Sequence, residues 1–192
     1  MNNTKFDVKR LENISDDLVN KGIKLLNSTG GNGQIRFDDL KRMLPHPQSF
    51  VAGAFLEDEL IGISLAFIMR PEAINYYNQF SSNFEGTYGT YKLGQIHSVA
   101  VEPKLQGQGV GSLLLAIRLE WLKREACDYA VAVSWDNGQP NSSKHLFTKF
   151  QFEKIKEIPD FYQKNLRKEI KECIFCGDTC NCKAILFIKN CY

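Results

Sequence analysis

The chain has 192 residues, enough for one domain with a sizeable core and few for two. Hydrophobic residues make up 43% and charged residues 24%, an ordinary globular composition that argues against extensive disorder. With 24 basic against 22 acidic residues the net charge is only +2, which excludes capture of nucleic acid or a membrane surface by bulk electrostatics.

The opening "MNNTKFDVKR" lacks the apolar centre of a secretory signal. The longest near-apolar run, "LIGISLAFIM" (60–69), is about half of a membrane span. A soluble, cytoplasmic protein is expected, a monomer or homodimer folded as a single domain over 1–192. "KFDVKRL" (5–11) alternates as a first strand. Ser15 or Asp16 can cap a helix through "DLVNKGIKLLN", which the glycine-rich "STGGNGQ" (28–34) ends. A short helix over 37–44 stops at Pro45 and Pro47. Two β-prone runs, 49–56 and 60–70, flank "EDE" as a hairpin. The polar, aromatic-rich stretch 71–94 reads as a long loop, of the kind that often carries function.

"QIHSVAV" (95–101) is a strand, and "SLLLAIRLEWLKREA" (112–126) an amphipathic helix. "YAVAVSW" (129–135), a helix at 141–150, "FEKIKEI" and "AILFIKN" (184–190) complete the chain. The strand–helix alternation after residue 95 requires crossover connections, whereas the earlier hairpin is antiparallel. The class is α/β (or α+β), with a central mixed, mostly antiparallel sheet and about four helices.

Between the strand at 95–101 and the helix that follows, "KLQGQGVGS" places Gly107, Gly109 and Gly111 at alternate positions. Glycine weakens a helix or strand by roughly 0.5–1 kcal/mol per residue. Its use here points to backbone N–H groups bared at a helix N-terminus, where the unpaired amides and the macrodipole attract a phosphate. Neither the dinucleotide pattern G-x-G-x-x-G nor the triphosphatase pattern ending in Lys-Ser/Thr fits. The pattern that fits is Gln/Arg-x-x-Gly-x-Gly/Ala, as Gln106-Gly107-Gln108-Gly109-Val110-Gly111.

On these residues the chain resembles the GNAT superfamily of acetyl-CoA-dependent N-acyltransferases. "LFTKFQFEKI" (146–155) resembles that superfamily's second signature, with Gln151 in place of the usual glycine. "GQIHSVAVEPKLQGQGVGSLLL" is most similar to the arylalkylamine N-acetyltransferase branch. The resemblance implies that the acetyl-CoA pyrophosphate rests on Gln106, Gly107, Gln108, Gly109, Val110, Gly111 and Ser112. The pantetheine arm would run beside Val99, Ala100 and Val101, taking main-chain hydrogen bonds as an added strand does. An N–H of that strand would stabilise the thioester oxyanion.

An amine with an ordinary pKa near 10.4 is about 0.1% free base at neutral pH, so a base near the thioester is useful. His97 is the candidate, matching a histidine of the arylalkylamine branch; the partner histidine of that branch falls at Gln95. The family's usual tyrosine acid falls at Phe147, which has no proton to give, and Tyr162 in "PDFYQK" is the substitute candidate. Glu102, beside Pro103, is expected to face solvent.

"CIFCGDTCNC" holds Cys173, Cys176, Cys180 and Cys182, spaced C-x2-C-x3-C-x-C, in a Cys-rich insertion (171–183) before the last strand. Four thiolates suit a structural Zn²⁺, and "CIFCGD" resembles a zinc knuckle in which Gly177 eases N–H groups towards sulfur. Reduced thiols, a disulfide or an iron–sulfur cluster remain open alternatives. Cys127 and Cys191 stand apart as structural cysteines.

The expected activity is acetyl transfer from acetyl-CoA to a small-molecule primary amine, arylalkylamine or polyamine-like, by direct attack on the thioester. The 71–94 stretch and the first two helices would shape the acceptor pocket. The alternatives are an acetyltransferase of protein N-termini or lysines, a catalytically silent acyl-CoA sensor and a zinc-linked interaction module.

Overall fold

A computed structural model describes residues 6–30, 35–138, 142–162, 176–177 and 180–192, and among them are seven strands and six α-helices. The strand order is β1-β2-β3-β4-β5-β7-β6. The chain forms two compact units, Met1–Ile68 with Ile96–Glu125, and Met69–Gln95 with Ala126–Tyr192. No described helix is long and apolar enough to cross a membrane.

The first unit begins with β1 (Asp7–Arg10), α1 (Asp16–Gly30) and α2 (Phe37–Met43), followed by the hairpin of β2 (Ser49–Leu56) and β3 (Glu59–Ile68). Most of β4 (Leu93–Val101) and α5 (Val110–Arg124) complete it. β1 and β3 pair antiparallel with β2. The β2–β3 register sorts residues by size. Phe50, Ala52 and Ala54 face Ala66, Ser64 and Gly62, whereas Val51 and Gly53 face Leu65 and Ile63. Residues two apart on a strand share a face, so one side of this hairpin is lined with small residues and the other with branched ones.

α5 lies on the small-residue side. Its Trp121 stacks on Phe50 with ring centres 5.1 Å apart. A Cβ on Gly62 would stand 3.2 Å from Leu114 Cδ1, 3.4 Å from Val110 Cγ1 and 3.3 Å from the Ala100 carbonyl oxygen. Glycine lets α5 approach this closely without displacing these neighbours. The branched side packs with Val19 and Leu26 of α1 and Leu40 of α2 in one buried cluster.

The second unit holds β5 (Tyr129–Asp136), α6 (Ser143–Lys149), β6 (Glu153–Ile158) and β7 (Lys183–Asn190). β7 lies between β5 and β6, antiparallel to both. Asp128 N–H donates to the Lys92 carbonyl at 2.8 Å, and Lys92 N–H to Asp128 Oδ2 at 2.7 Å. Both residues belong to the second unit and immediately precede β4 and β5.

The stretch 71–94 differs from the expected loop. It forms α3 (Pro71–Ile74), a 3-10 turn (Asn75–Gln79) and α4 (Phe84–Tyr88), and then the start of β4. Tyr77, Phe80 and Phe84 are buried with Val131, Phe161 and Leu186 as the core of this unit. Proline at the first helical position and the burial of Tyr77, Phe80 and Phe84, with Tyr88 half-buried against them, explain the difference: these aromatics belong to a core, not to a surface. Helix starts also moved: α5 begins at Val110, so Val110 and Gly111 are already helical.

Candidate active site

The loop from β4 to α5 is built to bare its backbone. Gly109 is the N-cap of α5 with φ +93° and ψ −6°, and no side chain caps the helix. Gly107 also has a positive φ, +76°. A Cβ at either would meet nothing within 4 Å. Gly107 and Gly109 are therefore favoured by conformation, and the space beside them is open. Ser112 and Leu113 N–H both turn back to the Gly109 carbonyl, at 3.0 and 3.1 Å. Gln106 Nε2 donates to the Val101 carbonyl at 3.0 Å and Gln108 Nε2 to the Lys104 carbonyl at 3.2 Å, so both glutamines brace the loop with their side chains. The loop thus lies open at the N-terminus of a fifteen-residue helix, a geometry that suits an anion.

The strand leading into the cradle is held at its end. Glu102 N–H donates to the Ile61 carbonyl at 2.9 Å, while the Glu102 carboxylate pairs with Lys104 at 3.2 Å. Val99 is half-buried and Ala100 and Val101 are buried, in the same unit as residues 106–112. The candidate cofactor residues therefore form one continuous stretch of strand, loop and helix.

His97 lies two residues before Val99. Its side chain is solvent-accessible, yet enough protein surrounds it that desolvation lowers its pKa, with the positive charge of Arg118 adding to the shift. Phe67 meets the imidazole edge-on at 5.4 Å, and Nδ1 lies 2.8 Å from Ser98 Oγ. A ring so held is neutral and accessible at neutral pH, as a general base must be.

Arg118 was not among the expected site residues. It is completely buried, with Nε donating to the Leu114 carbonyl at 3.0 Å and Nη1 to the carbonyls of Leu65 at 3.2 Å and Ser98 at 3.5 Å. Nη2 has no partner, and burial pulls the guanidinium down to about 9. The spacing Leu114, Arg118, Trp121, Leu122 carried the signal: i, i+4, i+7, i+8 places the arginine on the buried face of the helix.

In the second unit, Tyr162 packs against Trp135 at 5.1 Å and Phe161 at 5.2 Å, beside Cys180 and Cys182. Burial raises its pKa well above the usual tyrosine value. Phe147 is buried between Phe152 at 5.1 Å and Phe187 at 5.4 Å, a core ring. Cys176, Cys180 and Cys182 have sulfurs within 4.8 Å of one another; Cys173 lies outside the described residues.

Residues 24–152 match the family model described as Acetyltransferase (GNAT) family. No curated protein matches the chain. Among solved structures, the Bacillus subtilis acetyltransferase in complex with CoA is similar, with a TM-score of 0.64 and 18% identity over 97% of this chain and 99% of that one. Arabidopsis thaliana NAA60 in complex with acetyl-CoA has a TM-score of 0.68 at 11% identity, over 97% and 98%. The ribosomal-protein-alanine N-acetyltransferase from Escherichia coli has a TM-score of 0.64 at 9% identity, over 97% and 94%. The family model spans more than half of the chain and takes in the cradle, and the chain belongs to the acetyltransferase (GNAT) family, as an acetyl-CoA-dependent acyltransferase.

Proposed function

We propose that this enzyme acetylates a small primary amine, arylalkylamine or polyamine-like, by direct attack of the amine on the acetyl-CoA thioester, with His97 as the base. The observation that carries the proposal is the accessible His97 imidazole, held by Ser98 and kept neutral by desolvation and Arg118. With Nδ1–H donating to Ser98 Oγ, the Nε2 lone pair is free to take the amine proton. The field of Arg118 that disfavours imidazolium equally disfavours an ammonium beside it, so the acceptor is pushed towards its reactive free base.

In this reading the residues of the cradle, 106–112, hold the cofactor pyrophosphate, and Val99, Ala100 and Val101 align the pantetheine arm. Nitrogen attacks the carbonyl carbon, the tetrahedral oxyanion is met by a β4 N–H, and the C–S bond breaks to release CoA thiolate. Tyr162 is the candidate donor to that thiolate. Burial keeps it protonated across the working pH range, so the proton is there to give, although the raised pKa makes the gift less favourable than from an ordinary tyrosine.

The test is acetyl-CoA-dependent thiol release with arylalkylamines, polyamines and short peptides, for the natural protein and His97→Ala. Turnover on a small amine, lost in the variant and partly restored at high pH, is expected. Tight acetyl-CoA binding without turnover on any amine would replace the proposal with the silent sensor. The second reading is a protein N-terminal acceptor, favoured by the likeness to the ribosomal-protein-alanine enzyme. An α-amine, with a pKa near 7.7–8.0, needs less help from a base. Preference for short peptides over small amines would establish it.

A further inference from the structure

Cys176, Cys180 and Cys182 are not among the residues proposed for the acyl chemistry, and they lie close together. Cys180 and Cys182 are 0% and 1% exposed, while Asn181 between them is exposed. That alternation turns both thiols to the same side of the chain. Trp135 of β5 and Tyr162 pack against the pair. Cys176 approaches from a turn in which Gly177 has φ +69°, and its sulfur lies 3.4 Å from that of Cys182. The three sulfurs all lie within 4.8 Å of one another.

A Zn²⁺ with bonds of about 2.3 Å to sulfur holds its thiolates about 3.8 Å apart, inside the spread seen here. Two thiols sealed under aromatic rings gain little from water, and a divalent ion gives their thiolate forms a charge to face.

We propose that Cys176, Cys180 and Cys182 form a structural Zn²⁺ site that ties the start of β7 to the Cys176–Gly177 turn. Each thiol yields its proton to solvent and binds as thiolate; a water or a further side chain fills the fourth corner. The site stands independently of the acceptor assignment, because its residues belong to the second unit and hold no part of the cradle.

The experiment uses the full chain, expressed with zinc and purified without chelator. Elemental analysis is expected to find about one zinc per chain, released by a mercurial that titrates thiols. Exchange into Co²⁺ should give the absorption of a tetrahedral thiolate site. Cys182→Ser should weaken metal affinity by more than the roughly 10–100-fold that loss of an outer partner costs. Cys127→Ser, at a buried cysteine elsewhere, should not change it. If Cys182→Ser fails to fold, the Co²⁺ spectrum of the natural chain decides alone. Metal-free protein with intact thiols, a Cys176–Cys182 disulfide in the mass spectrum, or an iron–sulfur absorption would each overturn the proposal.

Discussion

Gly109→Ala separates the two jobs assigned to the cradle. At φ +93° and ψ −6°, an alanine carries the left-handed penalty of roughly 1–2 kcal/mol, and the open space around the Cβ adds no steric cost. For a chain of this size each kcal/mol lowers Tm by about 2–4 °C, so the loss is about 2–8 °C. The chain can relieve the strain only by rotating away from positive φ, which turns the first free N–H groups of α5 from the ligand. Losing one charge-assisted hydrogen bond to a phosphate costs about 1.5–3 kcal/mol, a weakening of acetyl-CoA binding of about tenfold to a hundredfold. The control is Gly138→Ala. Gly138 has φ +78° in the turn after β5 and equally open surroundings. It should show a similar fall in Tm with unchanged acetyl-CoA affinity by calorimetric titration. If both variants bind acetyl-CoA like the natural enzyme, or both weaken alike, the cradle does not hold the pyrophosphate.

Gln151 has φ +59° at the end of α6, where its N–H donates to the Thr148 carbonyl at 2.9 Å and Phe152 N–H to the Phe147 carbonyl at 3.0 Å. This is the Schellman ending that favours glycine, so Gln151→Gly should raise stability to urea by about 1 kcal/mol. Gly62→Val should lower it by about 1–3 kcal/mol, since even a Cβ presses on Leu114 and the Ala100 carbonyl. The pKa of His97 is depressed, so kcat/KM should be flat through neutral pH and fall only below the ordinary histidine value of about 6.5. The linked stability has the same sign. The unfolded chain takes up the histidine proton first, so His97 destabilises the fold as pH falls below that value. Removing metal with a chelator should lower Tm, and added Zn²⁺ should restore it; a Tm indifferent to both would argue against the cysteine site.

Much of the order of elements could be read from the chain because it depends on local rules. Alternation marked β1 and β4, apolar β-prone runs around a charged turn marked β2 and β3, and three glycines in six residues marked the open loop before any fold was known. Residues 71–94 misled because polar residues outnumber apolar ones there, and a core built from a few widely spaced rings has no clear period. Tyr77, Phe80 and Phe84 are three and four apart, the helical spacing, yet they are divided between a 3-10 turn and a short helix that no long periodic run announces.

Two departures from the family pattern show how sequence and packing answer each other. At 151 the backbone keeps its positive φ although glutamine replaces glycine, because the Schellman bonds and the Phe147–Phe152 contact at 5.1 Å hold it there. Phe147, at the place of the usual tyrosine, serves that same contact. A hydroxyl on a ring that is 4% exposed would need a partner or cost about 1–3 kcal/mol. Arg118 is the opposite case, a charge on the buried face of α5. Composition cannot distinguish it from a solvated arginine; the buried face and its three carbonyl acceptors do. A buried cation is costly, and among the described residues its compensation is the carbonyls of Leu114, Leu65 and Ser98; its positive charge in turn lowers the pKa of His97.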